Sequence, residues 1–225
     1  MIQILCVIHK NYHLYELQLE HWKKFSGDFQ LNFVDNTPES RRQIYPGLPY
    51  FSCPEFDGES HGRALDYLVS RATSDIIGIV DSDFFWTNKN IISEIKDYFK
   101  RGFVNVGASA MYPDWCNIID TAYPDRHSSK APVVWGMFVD RRLASEQTFV
   151  CTPSEGQDKL YTGWRLRQRV IEQDLPRITF QGFYPEGHTD PEMVWYGNGK
   201  PEGFHWFKGS FSRQGSTEAI KALLS

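Results

Sequence analysis

The sequence predicts an α/β fold with a mainly parallel central sheet flanked by helices. Three observations lead there. Short, nearly all-apolar runs of strand length recur through the first half of the chain, as they do in strands covered on both faces. Between them lie segments with apolar residues at helical spacing. Strands alternating with helices in this way imply right-handed βαβ units.

The elements follow in order. Ile2 to Ile8 reads as a buried strand. His13 to Phe25 carries Leu14, Leu17, His21, Trp22 and Phe25 at helical spacing. Leu31 to Val34 is a second strand, ended by the turn signal Asp35-Asn36-Thr37-Pro38. Tyr50 to Cys53 is a short third strand. A helix capped by Ser60 carries Ala64, Leu65, Leu68, Val69 and Ala72 on one face. The strand Ile76–Val80 follows. A helix capped by Thr87 or Asn88 buries Ile91, Ile92, Ile95, Tyr98 and Phe99. Phe103 to Ala110 is a further strand. Beyond it the chain is rich in loops and proline, with strands expected at Val133–Val139 and Ile178–Phe183, and helices at Lys159–Glu172 and Thr217–Leu224. Residues 1–225 read as one domain, with a boundary of character near residue 110.

Composition narrows the function classes. A hydrophobic content of 41% builds a full core without staples. The net charge of −4 lacks the basic excess that nucleic-acid binding needs, so duplex DNA is a less natural partner. The four cysteines form no Cys-x-x-Cys pair, which argues against a cysteine-built zinc site, and Cys6 reads as a buried thiol. The N-terminus lacks the features of a signal peptide, and no apolar stretch is long enough to span a bilayer. A cytoplasmic protein is the expectation.

Chemistry concentrates where Ile76-Ile77-Gly78-Ile79-Val80 ends in Asp81-Ser82-Asp83. Open α/β sheets collect ligands at their strand C-termini. Two carboxylates spaced i, i+2 there repel one another and lose hydration unless a cation sits between them. A hard divalent ion that also binds a diphosphate meets that need. The competing reading is a polar turn that merely closes a strand.

Several stretches together carry a resemblance. Val7-Ile8-His9-Lys10-Asn11, Phe33-Val34-Asp35-Asn36, Gly58-Glu59-Ser60-His61-Gly62-Arg63-Ala64-Leu65-Asp66, Val80-Asp81-Ser82-Asp83, Val134-Trp135-Gly136-Met137-Phe138-Val139 and Phe204-His205-Trp206 occur in that order. In these segments the chain resembles the GT-A glycosyltransferases, most closely their family 2-like group. The resemblance covers most of residues 1–210 and implies a Rossmann-like GT-A fold. It also implies metal-dependent transfer of a sugar from a UDP- or GDP-sugar to an acceptor hydroxyl, with inversion expected.

The resemblance implies roles residue by residue. Asp83 would contact Mn²⁺ or Mg²⁺ directly, and Asp81 would reach it through water or touch the ribose. His205 would complete the metal site, with His188 as a competitor. Asp35 would accept hydrogen bonds from the nucleotide base. His61 and Arg63, at a helix N-terminus, would face the phosphates. Asp66 would touch the ribose or pin Arg63. Gly136 would leave room for the donor sugar. Asp158 and Glu155, in Ser154-Glu155-Gly156-Gln157-Asp158, are the candidate catalytic bases; as ordinary residues they would supply a helix cap and first-turn charge. Trp135, Trp164, Trp195 and Trp206 are candidates for stacking on sugars, and Tyr196–Pro201 for a lid. The acceptor stays open: a glycan, a lipid-linked sugar, a protein or a modified nucleobase.

Two other classes compete. A nucleotidyltransferase shares the sheet and the paired acids, but the loop His9-Lys10-Asn11-Tyr12-His13 lacks the glycines such enzymes carry after the first strand. A non-catalytic domain of the same fold would bind a sugar nucleotide or glycan without turnover.

Overall fold

A computed structural model describes residues 1–52, 61–109, 131–146, 149, 162–183, 193–197, 200–205, 220–222 and 224. The strands are β1 (Ile2–Ile8), β2 (Phe29–Asp35), β3 (Ile76–Val80), β4 (Phe84–Trp86), β5 (Asn105–Ser109), β6 (Pro132–Asp140), β7 (Arg177–Phe183), β8 (Met193–Gly197) and β9 (Lys200–His205). The helices are α1 (Tyr12–Trp22), α2 (His61–Arg71), α3 (Ile91–Lys100), α4 (Arg141–Ser145) and α5 (Trp164–Glu172), with a 3₁₀ turn at Glu39–Arg41. Among the described residues, no helix is long and apolar enough to cross a membrane.

The strands join in the order β2-β1-β3-β6-β5-β7-β8-β9-β4. β1 pairs in parallel with β2 and β3, and β5 with β7. β6 runs antiparallel between β3 and β5. The first six strands therefore form the mainly parallel α/β sheet that the sequence predicts. An antiparallel ladder, β7-β8-β9-β4, extends it.

Side chains alternate across β1. Leu5 and Val7 pack with Ala64, Leu65, Leu68 and Val69 of α2. Ile2 and Ile4 join Trp22, Ile91, Ile92, Ile95 and Phe138 on the opposite face. Cys6 and Ile8 meet Tyr12 and Tyr15 of α1 on that same opposite side. Cys6 is a free, buried thiol as expected. Burial pushes its pKa up, and the Asp81 and Asp83 carboxylates add to the effect. The other cysteines lie outside the described residues.

Two expectations change, and one strand is new. The third strand shrinks to a single bridge between Asp35 and Tyr50. There the Asp35 N–H donates to Pro49 O and the Phe51 N–H donates to Asp35 O. The three-residue β4 was not anticipated, being too short for any period to register. The expected lid, Tyr196–Pro201, instead contributes to two paired strands: Tyr196 is opposite Pro201 and Gly197 opposite Lys200. At these described positions the backbone is engaged in a ladder.

Candidate active site

Hydrogen bonding and turn geometry bring the two acids of Asp81-Ser82-Asp83 together. The last rung of β3 pairs Val80 with Gly136. One residue on, the Asp81 N–H donates to Trp135 O at 2.8 Å. The Phe84 N–H then donates back to Asp81 O at 3.0 Å, closing a tight turn that projects both acids from the C-terminal end of β3. The chain leaves that turn as β4, which pairs with β9 and sets Phe84 opposite His205. A residue far along the sequence is thus delivered to the two acids by one strand pairing.

Asp81, Asp83 and His205 each offer a ligand atom within 4.8 Å of the others. His205 Nε2 lies 2.9 Å from Asp83 Oδ1 and 4.0 Å from Asp81 Oδ2. The Asp83 and His205 side chains are 7% and 5% exposed, so water does little to screen the groups of this cluster. Asp81 Oδ1 is buried and accepts no hydrogen bond among the described residues. Burial pushes the Asp81 carboxyl above the usual range; His61 and His205 oppose that rise and Asp83 adds to it. The donor set fits a divalent cation: two carboxylates and one imidazole, one carboxylate oxygen orphaned, and an electrostatic cost that a cation would remove. Two oxygens and one nitrogen suit Mn²⁺ or Mg²⁺. The Trp135 ring stacks on His205 at 5.4 Å and 11°, so this tryptophan orients the imidazole.

α2 begins at His61, whose Nε2 is 3.6 Å from Asp81 Oδ1. Its N-terminal turn, which attracts anions, therefore borders the acids. Arg63 is exposed on the same turn.

The remaining predicted residues do not join this ligand cluster. Asp35 is 2% exposed. Its Oδ2 accepts from the Tyr12 hydroxyl at 2.9 Å and its Oδ1 from the Thr37 N–H at 2.9 Å. The second bond is an Asx turn, so this carboxylate holds its own loop. Asp66 Oδ1 accepts from the Phe149 N–H at 2.8 Å, tying α2 to the chain after α4. Room over Gly136 is not open for a sugar: a Cβ there would meet the Phe84 ring at 2.5 Å, so the glycine admits that ring. Asp158, Glu155, His188, Trp206 and residues 58–60 lie outside the described residues, as does the side chain of Trp195. Sequence reasoning also missed Gln18, a buried amide of α1 that donates to the carbonyls of Ser82 and Phe84.

Solved structures share this fold. A mannosyltransferase from Pyrobaculum calidifontis, in complex with GDP-Man and Mn²⁺, superposes with a TM-score of 0.52 at 15% identity, over 79% of this chain and 54% of its own. The chain thus spans about half of that enzyme's length. Glucosyl-3-phosphoglycerate synthase from Mycobacterium tuberculosis, in complex with Mn²⁺, UDP and glucosyl-3-phosphoglycerate, gives 0.54 at 12% identity, over 80% of this chain and 70% of its own. The same synthase with Mn²⁺ and UDP-Glc gives 0.52 at 13% identity, over 80% and 69%. No protein-family model matches the chain, and no curated protein sequence does. At these identities the likeness establishes a GT-A-type fold.

Proposed function

We propose that this chain is a divalent-metal-dependent glycosyltransferase that uses a UDP- or GDP-sugar. The observation that carries the reading is the convergence of Asp81, Asp83 and His205 at the C-terminal end of β3, beside the N-terminus of α2. A diphosphate bridging that cluster and the α2 turn would meet positive charge from both sides. The neighbours' GDP-Man, UDP, UDP-Glc and Mn²⁺ support a sugar nucleotide over other phosphates.

When bound, the cation supplies Lewis acidity to the departing diphosphate. The protein's own groups do the rest. Asp83 and His205, nearly buried, would hold the cation, and Asp81 would be the third member of the set. His61 and the backbone N–H groups of the first α2 turn receive phosphate oxygens. Arg63, on the same turn, adds positive charge toward the nucleotide. Asp35 keeps the 35–37 turn in place at the same end of the sheet. Asp158 and Glu155 are our candidates for taking the acceptor proton.

Unfolding midpoints test this. UDP, GDP, CDP and their sugars would each be added with Mn²⁺ and with EDTA. One nucleotide should raise the midpoint with Mn²⁺ and not with EDTA, since a ligand selective for the native state stabilises it by mass action. Asp83→Ala should abolish that shift and lower sugar transfer about a thousandfold, the loss of several kcal/mol of charge stabilisation. Intact metal-dependent turnover in Asp83→Ala would remove the assignment. Pyrophosphate release from a nucleoside triphosphate and a sugar phosphate would redirect it to nucleotidyl transfer.

A further inference from the structure

α1 lies one sheet face away from α2, and its buried polar side chains reach the segment that holds Asp83. Gln18 is 1% exposed. Its Nε2 donates to the backbone carbonyls of Ser82 at 3.1 Å and Phe84 at 2.7 Å, the residues on either side of Asp83. Its Oε1 accepts from the indole Nε1 of Trp22 at 2.9 Å, one helical turn along. This arrangement fixes the amide's orientation. The reverse would set an oxygen against two carbonyls and an NH₂ group against an indole N–H. Three residues past Gln18, His21 is 5% exposed, with Nε2 2.6 Å from Trp86 O. A carbonyl only accepts, so His21 Nε2 carries the proton and the neutral ring suffices.

Three carbonyls of the segment 82–86 are thus fastened to one helix. That segment contains Asp83 and is also the strand that pairs with β9 to bring in His205. The grouped carboxylates repel one another, and a turn at a strand end has little ladder to resist their separation. Hydrogen bonds to the flanking carbonyls supply the missing resistance without occupying either acid.

We infer that Gln18, seconded by His21, is a positioning residue: it holds the Asp81–Asp83 turn in its ion-ready geometry before a cation binds. The inference rests on the metal-site reading above. It assigns to α1 the outer support that metal ligands require to stay at bonding distance.

Gln18→Met tests it, since methionine keeps the length and apolar volume and loses every hydrogen bond. Mn²⁺ binding, followed by calorimetry, should weaken about tenfold. Amide exchange should quicken across 82–86 and 203–205 while β2 and α2 exchange as before. Tyr15→Leu is the control. Tyr15 is a 7% exposed residue of the same helix, packed on Phe33 and Tyr45. That change should lower the unfolding midpoint and leave Mn²⁺ binding unchanged. Wild-type Mn²⁺ affinity and exchange in Gln18→Met would overturn the inference. So would an equal loss of Mn²⁺ binding in Tyr15→Leu, which would mean general loosening. If the unaltered protein takes up no Mn²⁺, the metal reading fails on its own, and exchange alone decides: quickening confined to the two segments upholds the support, and none refutes it. Should Gln18→Met not fold, His21→Phe is read the same way, with a smaller effect.

Discussion

α1 and α2 are both eleven residues long and flank β1 from opposite faces of the sheet, yet they are held by different forces. α2 buries Gly62, Ala64, Leu65, Leu68 and Val69, an uninterrupted apolar stripe. α1 buries Tyr12, Gln18 and His21 among its apolar residues. Each of those three hydrogen-bonds a residue at or near the candidate site: Asp35, Ser82, Phe84 or Trp86. Burial without direction suffices to seat a helix, because apolar contact is non-directional. Directional bonds cost more to get wrong and fix a neighbour to a fraction of an ångström. One helix stabilises the sheet and turns its N-terminus to the acids; the other sets the site's geometry.

The largest expected effect that would sharpen this contrast is on α2. Leu68→Ala should lower stability by about 2–4 kcal/mol through lost burial and a cavity. Urea unfolding would measure it, and Mn²⁺ affinity should stay at the wild-type value. A matching fall in Mn²⁺ affinity would erase the division of labour.

The next effect is on α1 and depends on pH. Burial pushes the His21 imidazole down from 6.5 to about 4, with Lys24 and Lys89 adding to the fall and the Trp86 carbonyl resisting it. Protonation would put a second N–H at Nδ1, which is buried and has no hydrogen-bond partner among the described residues. Above pH 6.5 the ring is mostly neutral in both states, and its full contribution is present. Below that, the unfolded chain takes up a proton that the folded chain refuses, so stability falls until pH drops through about 4. Between pH 7 and pH 5 the loss from this one residue is about 2 kcal/mol. Urea midpoints of wild type and His21→Gln at both pH values give the difference; identical slopes would show that His21 is not the titrating group.

The smallest effect is at Asn105, whose neighbours in β5, Val106 and Ala108, belong to the opposite face. Alternation therefore puts Asn105 on the α2 side. It is 0% exposed, and among the described residues neither side-chain polar atom has a partner. Asn105→Leu should raise stability by about 1 kcal/mol, because an orphaned buried amide is replaced by a similar apolar shape. A lower midpoint would mean that the α2 face is not held by apolar contact alone.

The same contrast explains what the sequence disclosed. β1, β3, α2 and α3 are legible because buried apolar residues repeat with the period of their element. The turn acids are legible because two charges end an apolar strand. His205 was found through its resemblance to a late family segment, not through any spacing. Gln18 and His21 could be placed on a helix, but the carbonyls they bind are 64 to 66 positions away and leave no mark in the local pattern. Asp35 and Asp66 show the converse: each looks like a ligand in sequence and spends its carboxylate on the protein's own backbone or a tyrosine.

His205 stands opposite Phe84 although the two are over a hundred positions apart in the chain. A pairing of that range closes a long loop, and such contacts are among the slowest to form. The candidate ligand set is therefore complete only when that long-range pairing is made. A chain that has built β1 to β3 already displays both acids, and it still lacks the imidazole until β9 docks. Metal uptake by the full candidate set would then require the β4–β9 pairing to be closed.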